Sequence, residues 1–255
     1  MSSAVKTQVV KLGGGRLDDR GWLSAFAEAA RPLAARSRLC VVHGGGRAVT
    51  ALLERLGVRS TWVGGLRVTS DTDLEAVRMA LSGSVNKKIV RALRDAGVEA
   101  VGLSGEDGVL SARVARQGAL GRVGEPHEVG VALLETLLAG GLVPVVSPLA
   151  RGPDGEGLNV NADEAAAVIA AALGADSLVF VTDVPGVLLD GRPLPHVAAP
   201  TLGALVERGA VHSGMLPKLS AAESAAAAVA DVRIGDLSCL LDPTLGSRVL
   251  ASEAA

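Results

Sequence analysis

Twice near its start this chain runs a short apolar strand straight into three glycines. Gln8-Val-Val-Lys-Leu12 meets Gly13-Gly14-Gly15, and Leu39 to Val42 meets His43-Gly44-Gly45-Gly46. A helical pattern follows each, from Trp22 to Arg36 and from Ala48 to Leu56. Parallel strands need such crossover helices, so the repeated unit calls for a parallel sheet covered by helices. Each triglycine exposes backbone N–H groups beside a helix, a ready site for phosphate or carboxylate. A lone glycine would read as a tight turn; two triple-glycine loops at strand ends favour ligand binding. Neither loop is a P-loop, because G-x-x-x-x-G-K-[ST] is absent, and no G-x-G-x-x-G dinucleotide fingerprint occurs.

The stretch from Leu158 to Leu188 reads as loop, helix, strand and loop. Asn161 suits an N-cap, with Glu164 in capping-box position. Ala165 to Leu173 forms helix, which Gly174 ends. Ser177 to Thr182 is a buried strand, and Asp183-Val-Pro-Gly186 turns at its carboxyl end, where open α/β sheets bind ligands. Asp163 falls in the first helical turn, where the dipole favours its charge. It either supports the helix end or organises a charged site.

Between these landmarks, Ser60 to Thr69 reads as a hairpin turning at Gly64-Gly65, and Arg67 on its second arm either clamps a carboxylate or stands solvated on an edge strand. Asp71 to Leu81 is helical, and Asn86 opens a separate helix to about Ala96. Arg113 to Glu128 reads as hairpin or loop. Helices are expected over Val131 to Ala139, Thr201 to Arg208 and Leu219 to Val229. Further strands are expected over Val98 to Leu103, Val143 to Val146 and Val232 to Ile234, with a short hairpin at Asp190-Gly191.

The 255 residues suffice for one large core or two joined lobes, and a net charge of −2 leaves no nucleic-acid or membrane-surface footprint. No apolar run reaches membrane-spanning length, and the N-terminus lacks a signal-peptide layout. Cys40 and Cys239 read as buried thiols in a reducing cytoplasm, and four scattered histidines suggest no structural metal. Of 25 basic residues only Lys6, Lys11, Lys87, Lys88 and Lys218 are lysine. Where arginine is the default cation, a lysine beside a glycine loop suggests a need for a compact ammonium. Lys87 and Lys88 serve either their helix or a subunit contact.

Taken together, KLGGG (11–15), HGGG (43–46), GLRVT (65–69), NVNAD (159–163), TDVPGVL (182–188) and SGMLPK (213–218) resemble the amino acid kinase family, in family order along nearly the whole chain. GLRVT with NVNAD points within it to the N-acetyl-L-glutamate kinases. The resemblance implies a three-layer αβα sandwich with a central, mainly parallel sheet. It implies an N-terminal lobe (1–174) for the acylated amino acid and a C-terminal lobe (175–255) for ATP with Mg2+. Lys11 and Lys218 would flank the transferring phosphoryl group, with Asp163 holding both ammonium groups. Gly44 and Gly45 would offer amides to the substrate, Arg67 would take its carboxylate, and Asn159 its other polar end. Gly13, Gly14, Asp183, Val184, Pro185, Gly186, Val187, Leu188, Ala210, Val211 and His212 would line the nucleotide. Ser213 stands where many relatives carry glycine.

The activity so implied is phosphorylation of the side-chain carboxylate of N-acetyl-L-glutamate, the second step of arginine biosynthesis. A kinase of carrier-linked aminoadipate or glutamate, or a binding regulator without catalysis, is the alternative. The expected partners are a small-molecule substrate and a second copy in a cytoplasmic homodimer, with neither nucleic acid nor membrane. The short lead before the first strand leads us to expect no arginine feedback.

Overall fold

The computed structural model describes residues 5–63, 66–198 and 215–251. Strand β1 (Thr7–Leu12) leads through helix α1 (Arg20–Arg36) to β2 (Arg38–His43) and α2 (Gly46–Arg55). Two-residue strands β3 (Trp62–Val63) and β4 (Leu66–Arg67) pair antiparallel, with Trp62 opposite Arg67. Next come α3 (Asp71–Arg78), a π-helical turn (Met79–Val85) and α4 (Asn86–Asp95). Strands β5 (Ala100–Ser104), β6 (Leu110–Val114) and β7 (Val123–Val129) precede α5 (Val131–Ala139). Then follow β8 (Val143–Ser147), β9 (Leu149–Arg151), β10 (Gly157–Val160) and α6 (Ala162–Ala172). The later part holds β11 (Ser177–Val181), the small β12 (Leu188–Leu189) and β13 (Arg192–Pro193), and β14 (His196–Val197). Helix α7 (Leu216–Ala226), β15 (Asp231–Gly235), α8 (Ser238–Leu241) and β16 (Ser247–Val249) complete the described chain.

The main sheet has the order β14-β16-β15-β11-β1-β2-β8-β5 and is parallel except where β15 meets β16. Alternation along β1 divides its side chains between two layers. Val9 joins Cys40, Phe180 and Ile234 under α6 and α7, with Ala166, Ile169 and Ala222. Val10 and Leu12 join Val41 and Val179 under α1 and α4, with Phe26, Leu33 and Ile89. Burial of these two apolar faces yields a three-layer αβα sandwich. From β1 the chain moves to β2 on one side, and later returns as β11 on the other. The carboxyl ends of these strands therefore open a crevice at a topological switch point.

Three local expectations change. No new helix begins at Asn86: α3, the π turn and α4 run on without a break, Met79 and Asn86 both holding right-handed helical dihedrals. Asn86 does not cap, because its side chain is buried and donates to Val145 O at 2.8 Å. Residues 157–160, read as loop, form β10, paired with β9 on one side and β7 on the other. Helix α7 begins at Leu216, with Pro217 in its first turn, where a missing N–H does no harm. The region 113–128 resolves into the antiparallel pair β6 and β7. The helix expected over 201–208, the Gly64-Gly65 turn and residues 210–214 lie outside the described residues.

Candidate active site

The two triglycine loops interlock at the carboxyl ends of β1 and β2. A Cβ on Gly14 would stand 2.8 Å from Gly45 N, and one on Gly44 would stand 3.2 Å from Gly14 N. Only glycine permits that approach. Gly13 N donates to Val181 O at 3.1 Å and Gly44 N to Leu12 O at 2.9 Å, so these amides are committed to the sheet. This corrects the expectation that Gly44 offers its amide to a ligand. Gly45, at φ 155°, is the N-cap of α2, and the first amides of that helix lack intrahelical partners. Arg47 ties the loops together by donating to Gly15 O at 2.9 Å.

Behind the loops, three buried ionic side chains meet on one oxygen. Lys11 Nζ lies 2.6 Å from Asp163 Oδ1, and Lys218 Nζ lies 2.9 Å from the same atom. Lys11 stands on β1 between Phe180 and Val42 on its flanking strands. Lys218 leaves the first turn of α7 and passes 5.7 Å over the Phe180 ring. Asp163 sits in the first turn of α6, where Asn161 accepts from Asp163 N at 2.7 Å and from Glu164 N at 3.4 Å. The helix terminus adds its own preference for negative charge there. Burial alone would raise the Asp163 carboxyl; the two ammonium groups overcome it and hold the carboxyl below its ordinary range. Burial brings Lys11 down to about 8, against the pull of Asp163 and with help from Lys218. Two cations on one anion leave an excess positive charge at the crevice.

A cleft of about 250 Å³ adjoins this cluster and is lined by Gly44, Gly45, Gly46, Arg67, Asn159 and Asp163, among others. Arg67 is 6% exposed. It donates to Thr50 Oγ1 at 2.7 Å, to Gly46 O at 3.2 Å and to Ser60 Oγ. Its guanidinium stacks 4.4 Å over Trp62. Among the described residues it has no carboxylate in ion-pair range, and it lines the cleft as a buried cation. Asn159, on β10, donates to Thr69 Oγ1 at 3.2 Å. A larger hollow of about 400 Å³ lies at the amino ends of the central strands, among Lys6, Arg36, Asp176 and Arg233. There Arg233 Nε is paired with Asp231 at 3.1 Å, and no glycine loop faces it. The smaller cleft has the chemistry.

The turn after β11 leaves the strand that pairs with β1 alongside Lys11. Val184 N donates to Thr182 Oγ1 at 3.2 Å, and Val187 N to Ser247 Oγ at 2.8 Å. Asp183 and Pro185 are exposed, Gly186 and Val187 buried, and Leu188 enters β12. A Cβ on Gly15 would come 3.0 Å from Asp183 Oδ2, placing this turn against the first triglycine. Ala210, Val211 and His212 lie outside the described residues. Sequence reasoning missed Asn161, Trp62, Gly46 and Thr50 as members of the cleft or its supports. Asn161 had shown itself only as a helix cap, and Trp62 only as hairpin.

The family model described as "Amino acid kinase family" matches residues 6–236. The chain is 46% identical over 242 residues to a protein named acetylglutamate kinase from Roseiflexus sp. (strain RS-1), covering 92% of this chain and 91% of that one. It is similar to the crystal structure of smu.665 from Streptococcus mutans UA159 at 31% identity and TM-score 0.84, covering 96% of this chain and 98% of that one. Carbamate kinase from Giardia lamblia bound to AMP-PNP has the same fold, at 20% identity and TM-score 0.74 over 97% of this chain and 99% of that one.

Proposed function

This chain belongs to the amino acid kinase family, and from that premise we propose that it transfers the terminal phosphoryl group of ATP to the side-chain carboxylate of N-acetyl-L-glutamate. The observation that carries the reading is the convergence of Lys11 and Lys218 on Asp163 beside a cleft that presents Arg67. The acceptor carboxylate is already ionised near neutral pH, so its oxygen attacks phosphorus, ADP leaves, and no proton has to move. Such a transfer between anions depends on positioning and on cancelling charge. Lys11 and Lys218 supply compact ammonium groups, and Asp163 fixes both. Arg67 takes the acceptor's other carboxylate, the Gly45 amide faces the reacting end, and Asn159 holds the acyl amide.

We assign the acyl amino acid to the lobe of residues 1–174 and the nucleotide to residues 175–255, with Gly14 and the 183–188 turn at its phosphates. Among the described residues no group of three His, Cys, Asp or Glu side chains forms a metal-binding set, so we assign Mg2+ to the nucleotide. No helix among the described residues is long and apolar enough to cross a membrane. A cytoplasmic homodimer is the assembly we propose, its contact drawing on exposed apolar side chains such as Met79 and Leu56.

A thermal-shift comparison tests the ligand classes, since a ligand that binds only the folded chain raises its stability. ATP and N-acetyl-L-glutamate are expected to raise the midpoint, and NAD to leave it unmoved. A shift with NAD alone would overturn the assignment.

A further inference from the structure

Buried behind the second triglycine is a directional chain of hydrogen bonds that the charge cluster does not use. His43 is fully buried, and its Nδ1 lies 2.7 Å from Gly44 O. A carbonyl can only accept, so Nδ1 carries the proton. Nε2 is then a bare acceptor, and Asn86 Nδ2 stands 3.2 Å from it. Asn86 is also fully buried, and its orientation is fixed from both ends. Nδ2 donates to Val145 O at 2.8 Å, while Oδ1 accepts from Lys87 Nζ at 3.0 Å. A Cβ at Gly102 would overlap Asn86 Oδ1, so β5 leaves room for this amide. Burial, with Lys11 and Lys87 nearby, brings His43 down to about 4 and keeps it neutral.

The consequence lies in the Gly44–Gly45 peptide. A trans peptide is planar, so its N–H points away from its C=O. The Gly44 carbonyl is drawn inward to His43, which turns the Gly45 N–H outward, and Gly45 lines the cleft. Glycines on both sides would otherwise let this unit rotate at little expense. The π turn adds a second restraint, since a Cβ on Gly45 would stand 2.6 Å from Leu81 Cδ2. We propose that His43, oriented by Asn86, is a positioning residue that locks the Gly44–Gly45 peptide with its amide toward the reacting carboxylate. This rests on the phosphotransfer reading above.

Two substitutions divide the histidine's hydrogen bonds. In His43→Asn the amide nitrogen falls near the place of Nδ1 and can still donate to Gly44 O. In His43→Gln the carboxamide reaches the place of Nε2, where its oxygen can accept from Asn86 Nδ2, and the donor to Gly44 O is lost. The wild-type chain first identifies the carboxylate it phosphorylates, which tests the functional reading alone. On that acceptor, His43→Asn is expected to keep kcat within about threefold, whereas His43→Gln loses on the order of 10²-fold, as when one preorganised donor is removed. KM for ATP stays unchanged in both. Values are taken per folded molecule, from urea titration of each variant. Equal kcat in the two variants, or the reverse order, would overturn the proposal. Should neither fold, Asn86→Ser takes their place: a lower kcat at constant KM for ATP supports the lock, and an unaltered kcat refutes it.

Discussion

Lys11 Nζ lies 2.6 Å from Asp163 Oδ1, and that contact joins the central strand of the sheet to the first turn of α6. Lys218 reaches the same oxygen from the first turn of α7. One carboxylate thus determines where two ammonium groups stand, and each prediction about catalysis begins from that shared atom.

Removing either lysine should affect rate far more than stability. Lys11→Met or Lys218→Met leaves Asp163 with one partner, and burial already weighs on the Lys11 ammonium. We expect kcat to fall on the order of 10²–10³-fold while urea midpoints hold or rise slightly. Asp163→Ala leaves two ammonium groups buried without an anion, and should lose about 3–5 kcal/mol in the same titration.

The upper limb of the pH profile should report Lys11. Its folded value of about 8 lies below the ordinary 10.5. As pH rises through 8 the ammonium is lost, and kcat/KM should fall. Stability moves the other way: between the folded and ordinary values the unfolded chain binds the extra proton, so this lysine's contribution improves with rising pH. Lys11→Met should abolish that slope in denaturation curves recorded across the window.

Arg67 should govern the acceptor and not the nucleotide. Lysine cannot reproduce a planar fork that stacks on Trp62 and holds Thr50 and Gly46. Arg67→Lys is expected to raise KM for the acyl amino acid on the order of 10- to 100-fold, the range of a charged hydrogen bond. Initial-rate kinetics with each substrate varied would show KM for ATP unmoved.

Gly14→Ala should separate the interlocked loops. Its Cβ would meet backbone, Gly45 N at 2.8 Å, so a rotamer change cannot relieve it. A displacement of that kind misaligns the reactants, and kcat/KM should drop on the order of 10²-fold with the fold retained by circular dichroism.

Much of this site is legible in the sequence, because the features that place it are local. A triglycine after an apolar strand announces its turn, Asn161 announces the start of α6, and scarce lysines beside glycine loops stand out against arginine. What stayed hidden depends on distant pairing. Residues 157–160 form a strand only because β7 and β9 lie on either side of them. Asn86 looked like a helix start, yet it is held by Val145 and His43 from elsewhere in the chain. Likewise, nothing in HGGG shows that the amide of Gly44 is already taken by Leu12.

The most direct test of the account is ATP-dependent acyl-phosphate formation trapped with hydroxylamine. N-acetyl-L-glutamate, glutamate, aspartate and N-acetyl-aminoadipate would be compared, with Lys218→Met as control. The account predicts strong hydroxamate formation from N-acetyl-L-glutamate alone, lost in the variant. Hydroxamate from none of the four, or equal yield from the variant, would contradict it.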